Sequence, residues 1–299
     1  LNGVPLLTQW GDAAGIKVPR FGQPGAPRTY ISQPDVPIIK KFRAVVSRDE
    51  LDRVTSADCY GANRPRSSTK KFPAIVWQLT SERHFGPLKD VEGNDIPWHR
   101  KLNQAVFRGG PTGIPPAALR SAKTGRDRCL AMERCRLVLL SGNSTLLDTG
   151  LNGVYSRMNS TIDGVQLVGK KLSMKDQLRY KAVIMIEGND VATGLKWALM
   201  SSSVLMIPPP TLTTWAMEEL LKPWVHYIPL DASLGDAEEK MQWVLDHDRQ
   251  AQQIAHRGSL WMKDMVIHPD AARDEQAVYK EILRRYQSHF RASDNLLQV

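Results

Sequence analysis

Residues 179–230, RYKAVIMIEGNDVATGLKWALMSSSVLMIPPPTLTTWAMEELLKPWVHYIPL, constrain the fold more than any other stretch. Residues 181–186 are a short apolar, β-branched run that predicts a buried strand. Glu187, Gly188, Asn189 and Asp190 break the run, and residues 191–200 follow as an apolar helix carrying Lys196. A second buried strand is expected over 204–207, stopped by the prolines at 208–210. Residues 215–221 suggest a short acidic helix and 225–229 a third strand. Strand, glycine-bearing turn, helix, strand is the grammar of a parallel sheet. Ligands of such sheets sit beyond the carboxyl ends of the strands. The turn over 188–194 falls there, at an expected helix N-terminus whose free N–H groups favour an anion.

A second junction of this kind occurs upstream. A strand over 104–107 runs into Arg108, Gly109, Gly110, Pro111, Thr112 and Gly113. Glycines there would let backbone N–H groups approach a phosphate, and Arg108 would add a bidentate cation. The plainer explanation is a tight turn with a surface arginine. A helix is expected from 115 with proline in its first turn, a second over 126–136, and a strand over 137–140. Residues 141–173 read as irregular. Ser173 with Asp176 three residues later predicts a capped helix. Apolar residues at helical spacing give helices over 236–247, 249–266 and 270–290. In the first hundred residues, 11–37 read as a long Gly/Pro loop, 36–42 and 74–79 as strands, and 49–54 as a helical turn. RHFGPL at 83–88 and DIPWHRK at 95–101 read as ordered loops.

The chain has 299 residues, 42% of them hydrophobic, enough for two domains with proper cores. No run of eighteen apolar residues occurs. The net charge of +9 suits an anionic small ligand, or an anionic membrane face met peripherally, as well as a plain basic surface. No ribonucleoprotein or zinc-finger signature supports nucleic acid. Three cysteines without paired spacing argue against a disulfide framework or structural zinc; a reducing compartment is the simplest fit, with a single disulfide as the alternative. The chain opens on Leu1 rather than Met, so the lack of a leader segment carries little weight. The cytoplasm is the expected location, with a secretory lumen as the alternative.

Lys196, beside Trp197, reads as a lysine lying along a half-buried helix, with phosphate pairing as the sharper alternative. Asp246-His247-Asp248 has the DxD form of a metal site, but at the end of a helix it reads as a solvated face. Glu218 and Glu219 suit a helix N-terminus, or one of them could bond sugar hydroxyls. Asp12 is an isolated loop acid. No P-loop, GxGxxG, HExxH or nucleophile elbow is present.

EGNDVATGLKWALMSSSVLM at 187–206 and WAMEELLKPWVHYIPL at 215–230, with FRGGPTG at 107–113 and AQQIAHRGSLW at 251–261, resemble glycosyltransferase family 90. That family includes Rumi-type protein O-glucosyltransferases, capsule-associated xylosyltransferases and lipopolysaccharide-type relatives. The resemblance implies an α/β, GT-B-like architecture of two Rossmann-type domains facing a cleft. Residues 1–100, joined by the helix at 270–299, would form the acceptor side, and 101–269 would hold the nucleotide sugar. It implies inverting transfer from a UDP-sugar, glucose or xylose, to a hydroxyl of a glycan, lipopolysaccharide or protein, with no metal or other cofactor. Asp12, in QWGD, would be the general base. Arg108, Gly109, Gly110, Thr112, Gly113, Arg126, Gly188, Asn189, Asp190, Val191, Ala192, Thr193, Gly194 and Lys196 match the diphosphate-binding segments. Trp215 and Glu218 would touch sugar or acceptor. One departure stands out: Gly194 occupies the position of a phosphate-contacting arginine in the Rumi-type enzymes. It motivates the alternative of a non-catalytic nucleotide- or carbohydrate-binding protein that retains the fold.

Overall fold

A computed structural model describes residues 8–9, 16–18, 29–31, 39–40, 43–45, 75–77, 81–156 and 158–291. The chain divides into two compact units. The first gathers residues 1–80, 213–215 and 269–299; the second holds 81–212 and 216–268.

The second unit contains, in order, α1 (Ser81–Asn94), β1 (Leu102–Gly109), α2 (Pro116–Ser121), α3 (Gly125–Ala131), α4 (Glu133–Leu140) and β2 (Leu147–Leu151). The hairpin β3 (Thr161–Ile162) and β4 (Val165–Gln166) follows, then α5 (Met174–Gln177), β5 (Tyr180–Ile184), α6 (Leu195–Met200) and β6 (Val204–Ile207). Strand β7 (Ile228–Pro229), α7 (Ala237–Asp246) and α8 (Asp248–Val266) complete it. Five strands form one sheet in the order β7-β6-β5-β1-β2, every pair parallel. The unit is therefore α/β. From β1 the chain first adds β2 on one side, then crosses back to place β5 on the other. The boundary between β1 and β5 is thus the switch point, where open parallel sheets form their crevice.

Ala105, Phe107, Ala182, Ile184, Val204 and Met206 of the strands share one buried cluster with Met132, Leu137, Met241, Val244 and Ile254. Strand β6 is buried along its whole length, as the continuous apolar run 204–207 requires. Ser173 and Asp176 form the expected capping box on α5, and Thr124 with Asp127 forms a second on α3. Helix α2 carries proline in its first turn, as expected.

Several expectations are corrected. RHFGPL is not a loop but part of α1, which holds Pro87 inside it. Leu88 and Val91 are each 1% exposed, and that burial outweighs the backbone bond a proline removes. The run 137–140 is the end of α4, not a strand: Leu137 and Val138 are buried while Leu140 is exposed, a helical pattern. The helix expected over 126–136 is two helices meeting at Met132. The irregular stretch hides β2, whose LDTGL sequence pairs with β1 from Ala105↔Leu147 to Gly109↔Leu151. Its glycine and polar residues mask the strand pattern. Helix α6 begins at Leu195 rather than 191, and the acidic helix is only the 3-10 turn Glu218–Leu220. Cys129 and Cys135 form a disulfide between α3 and α4. A reducing compartment therefore loses its support, because such bonds persist under oxidising conditions.

In the first unit, Thr8–Gln9, Ile39–Lys40 and Ile75–Val76 pair in parallel in that order, and Ile16–Val18 pairs antiparallel with Thr29–Ile31. The helix Ala271–Arg291 stacks Tyr279 on Trp77 at 4.3 Å between ring centres. The helical turn expected over 49–54 lies outside the described residues. Among the described residues no helix is long and apolar enough to cross a membrane.

Candidate active site

Strands β1 and β5 are neighbours in the sheet, so the turns that follow them emerge side by side at its carboxyl edge. The two turns touch. The Gly113 amide donates to Asn189 Oδ1 at 3.1 Å. Gly113 has φ +91°, and a Cβ there would lie 3.1 Å from Gly188 Cα. That backbone and that approach both demand glycine. Gly188 is equally confined: a Cβ would lie 2.5 Å from Thr112 Oγ1 and 2.8 Å from the Arg134 guanidinium. Each turn is also braced internally, by Thr112 N–H on Gly110 O and by Gly188 N–H on Asp190 O, both at 2.8 Å.

Several amides at this junction have no acceptor among the described residues. Those of Gly110, Asn189, Val191, Ala192 and Thr193 donate to nothing among the described residues. Val191 and Ala192 are 5% exposed. A cluster of N–H groups without protein acceptors is what an anion requires.

Glu187 ties the β5 turn to the segment after β6. Its Oε1 accepts from the Thr211 and Leu212 amides, each at 3.0 Å, and its Oε2 from the Thr211 hydroxyl. Burial raises the Glu187 pKa, with Glu133 adding to the effect and the hydrogen bonds opposing it.

Not every residue expected at the site is part of this junction. Arg108 points elsewhere: Nε donates to Lys170 O, Nη1 to Phe107 O and Asp148 O, and Nη2 pairs with Asp148 Oδ1 at 2.6 Å. It lines a cleft of about 430 Å³ with Asp148, Lys170, Arg179 and Tyr180. There the Tyr180 hydroxyl donates to Asp148, and burial, then Asp148, pushes its pKa up to about 12. Arg126 is exposed and paired with Asp163 at 2.6 Å. Lys196 neither lies along the surface nor reaches the turn. It is 1% exposed and pairs with Glu218, itself 2% exposed, at 3.1 Å. Gly194 precedes α6, where a Cβ would press on the Met185 thioether at 2.7 Å. Trp215 is half-buried and belongs to the first unit. Asp12 lies outside the described residues.

Among the described residues no three His, Cys, Asp or Glu side chains gather as metal donors. In the DxD triplet, Asp246 accepts from Gln242, while Asp248 accepts from Trp98 and Lys181.

Arg134 is a site residue that the sequence did not single out. Its Nε and Nη2 donate to Ile186 O at 3.1 and 2.8 Å. Its Nη1 donates to Thr112 Oγ1 at 2.8 Å and Gly110 O at 3.4 Å. The available signal was spacing: Arg134 lies one turn before Val138 in α4, which puts a cation on the core side of that helix.

The family model described as glycosyl transferase family 90 matches residues 87–288. O-glucosyltransferase LpsA of Dichelobacter nodosus is 35% identical over 189 residues, covering 63% of this chain and 51% of that protein. Protein O-glucosyltransferase 3 of Mus musculus is 29% identical over 204 residues, covering 67% and 35% respectively. Protein O-glucosyltransferase 2 of Danio rerio is 32% identical over 174 residues, covering 57% and 31%. The chain thus spans half of LpsA and about a third of the two animal proteins.

Proposed function

The chain belongs to glycosyl transferase family 90, and from that premise we propose that it moves a sugar from a UDP-sugar to an acceptor hydroxyl with inversion, on a GT-B-like architecture. The observation that carries this proposal is the meeting of the turns after β1 and β5 at the switch point, with five amides left open there. The donor's diphosphate would rest on those amides. Arg108 and Lys196 pair with Asp148 and Glu218, so the proposal does not depend on them for charge.

The chemistry is a single displacement. A base takes the acceptor hydroxyl proton, the oxygen attacks the anomeric carbon, and the bond to the β-phosphate oxygen breaks. Negative charge gathers on the departing diphosphate, and fixed N–H dipoles stabilise it without reorganising. Asp12 is the proposed base, because inversion needs one carboxylate opposite the leaving group. Glucose is the first donor sugar to test, since the relatives' names specify O-glucosyl transfer. Xylose is the second. The proposed acceptor is a hydroxyl of a glycan, lipopolysaccharide or protein, and no metal is proposed.

The test is UDP release from a panel of UDP-sugars, with and without EDTA. Turnover of UDP-glucose or UDP-xylose that survives EDTA is the expected result. EDTA-sensitive turnover would overturn the metal-free step. Uptake of UDP with turnover of no donor would make the chain a nucleotide-binding protein that keeps the fold.

A further inference from the structure

A second cleft, of about 560 Å³, opens beside the C-terminal half of α8 and the loop that precedes β7. Its lining residues all lie in the second unit, and none belongs to either glycine turn. Arg257, Leu260 and Asp264 recur at spacings of three and four on α8, on the side away from the buried Ala251, Ala255, Gly258 and Met262. His226 comes from the loop. Gly258 lets helix and loop approach: a Cβ there would lie 2.8 Å from His226 O and 2.7 Å from Leu199 Cδ1. Trp261 also lines the cleft and is half-buried. Its indole N–H donates to Ala216 O at 3.0 Å, which fixes the ring, and its ring centre is 5.2 Å from that of His226.

The polar groups around this indole have bonding capacity left. His226 Nδ1 accepts from the Lys222 amide at 3.0 Å. Burial, then Lys222 and Arg257, hold the His226 pKa below the usual histidine value, so near neutral pH the ring is uncharged and its proton sits on Nε2. That N–H has no acceptor among the described residues. The Arg257 and Asp264 side chains make no hydrogen bond or ion pair among the described residues. Lys263 pairs with Glu92 at 3.3 Å. A neutral donor, a charged donor and a carboxylate acceptor thus stand around one aromatic ring. Arg257 offsets Asp264 and Lys263 offsets Glu92, which leaves little net field to favour a phosphate. A sugar chain has the matching surface: hydroxyls that both donate and accept, and C–H faces that lie on an aromatic ring. The volume falls within the range of small-ligand clefts, about 300–1,000 Å³.

We propose that this cleft binds a neutral sugar chain, with Trp261 as the stacking surface and His226, Arg257 and Asp264 as the hydrogen-bonding groups. It is a site separate from the donor turns, and it would anchor a glycan acceptor while another part of that chain reacts. The binding stands without the transfer reaction; only its use as an acceptor anchor rests on the function proposed above.

The test is saturation-transfer NMR of the full chain with maltotriose and with xylotriose, and UDP titration of the same samples. Binding of at least one trisaccharide is expected, with a dissociation constant on the order of 1 mM. Trp261→Ala is expected to weaken it about 10-fold or more, and the exposed Asp264→Ala about 5-fold. UDP affinity should stay within about 3-fold of wild type in both variants, because neither residue belongs to the glycine turns. Inorganic phosphate should not displace the sugar. If Trp261→Ala fails to fold, Asp264→Ala decides by the same pair of measurements. Uptake of neither trisaccharide, wild-type sugar affinity in the variants, or displacement by phosphate overturns the proposal. So does self-association in analytical ultracentrifugation that Trp261→Ala abolishes, since the cleft would then join two copies of the chain. Sugar uptake in a chain that turns over no UDP-sugar leaves the cleft standing and removes the transfer reaction.

Discussion

At the scale of single residues, Glu187 gives a sharp pH signature. Burial raises its pKa, so the folded chain holds that proton to higher pH than the unfolded chain does. Its contribution to stability is full below the unfolded value of about 4.3 and falls as pH rises through the raised folded value. Glu187→Gln keeps the shape and can still accept the two backbone N–H groups, but cannot ionise. We predict that the variant gains stability relative to the parent between pH 4 and neutrality, read as urea midpoints; parallel profiles would show that the carboxyl stays unshifted. Residue identity alone does not say which carboxylates the cations meet. Arg108 and Lys196 stand beside glycine turns in the sequence and invite assignment to phosphate. Their partners, Asp148 and Glu218, are 40 and 22 residues away, and no local pattern connects them. Arg134 was hidden for the reverse reason: it is far along the chain from both turns it joins.

Among the elements, the pair α3–α4 is the most informative. Its disulfide closes a short loop, with a sequence separation of 6. Reduction is predicted to lower stability by about 2 kcal/mol, since short loops restrict the unfolded chain least. Urea unfolding with and without dithiothreitol measures it, and coincident curves would remove the bridge from the stabilising set. Strongly periodic or uniformly apolar segments were legible beforehand. Strands β5 and β6 and helices α7 and α8 stand within a few residues of their expected places. Elements defined by their neighbours were not. Strand β2 is a strand because β1 pairs with it, and α1 tolerates Pro87 because Leu88 and Val91 are buried. LVLL at the end of α4 has no period of its own and could be read either way.

For the molecule as a whole, the sequence pointed correctly to an α/β unit, and two strand-to-glycine junctions in a parallel sheet must share one edge; that the two turns touch is a finding of the structure. The sheet order, and hence the switch point, depended on β2 and was not legible. We predict that Asp12→Asn, in the full chain, abolishes sugar transfer and leaves the UDP dissociation constant within about 3-fold of wild type, because a base on the acceptor side does not touch the nucleotide. Unchanged turnover would remove Asp12 from the chemistry.

The order of strands also bears on how the chain reaches its native state. Strand β1 finds β2 after one short excursion, but must wait for β5, which begins at Tyr180. Long-range pairings close late. During refolding from urea we expect helical circular dichroism to return first and nucleotide uptake to lag it, since the two glycine turns come together only once the middle of the sheet is zipped. Simultaneous recovery of the two signals in stopped-flow would mean that this central seam forms at the outset.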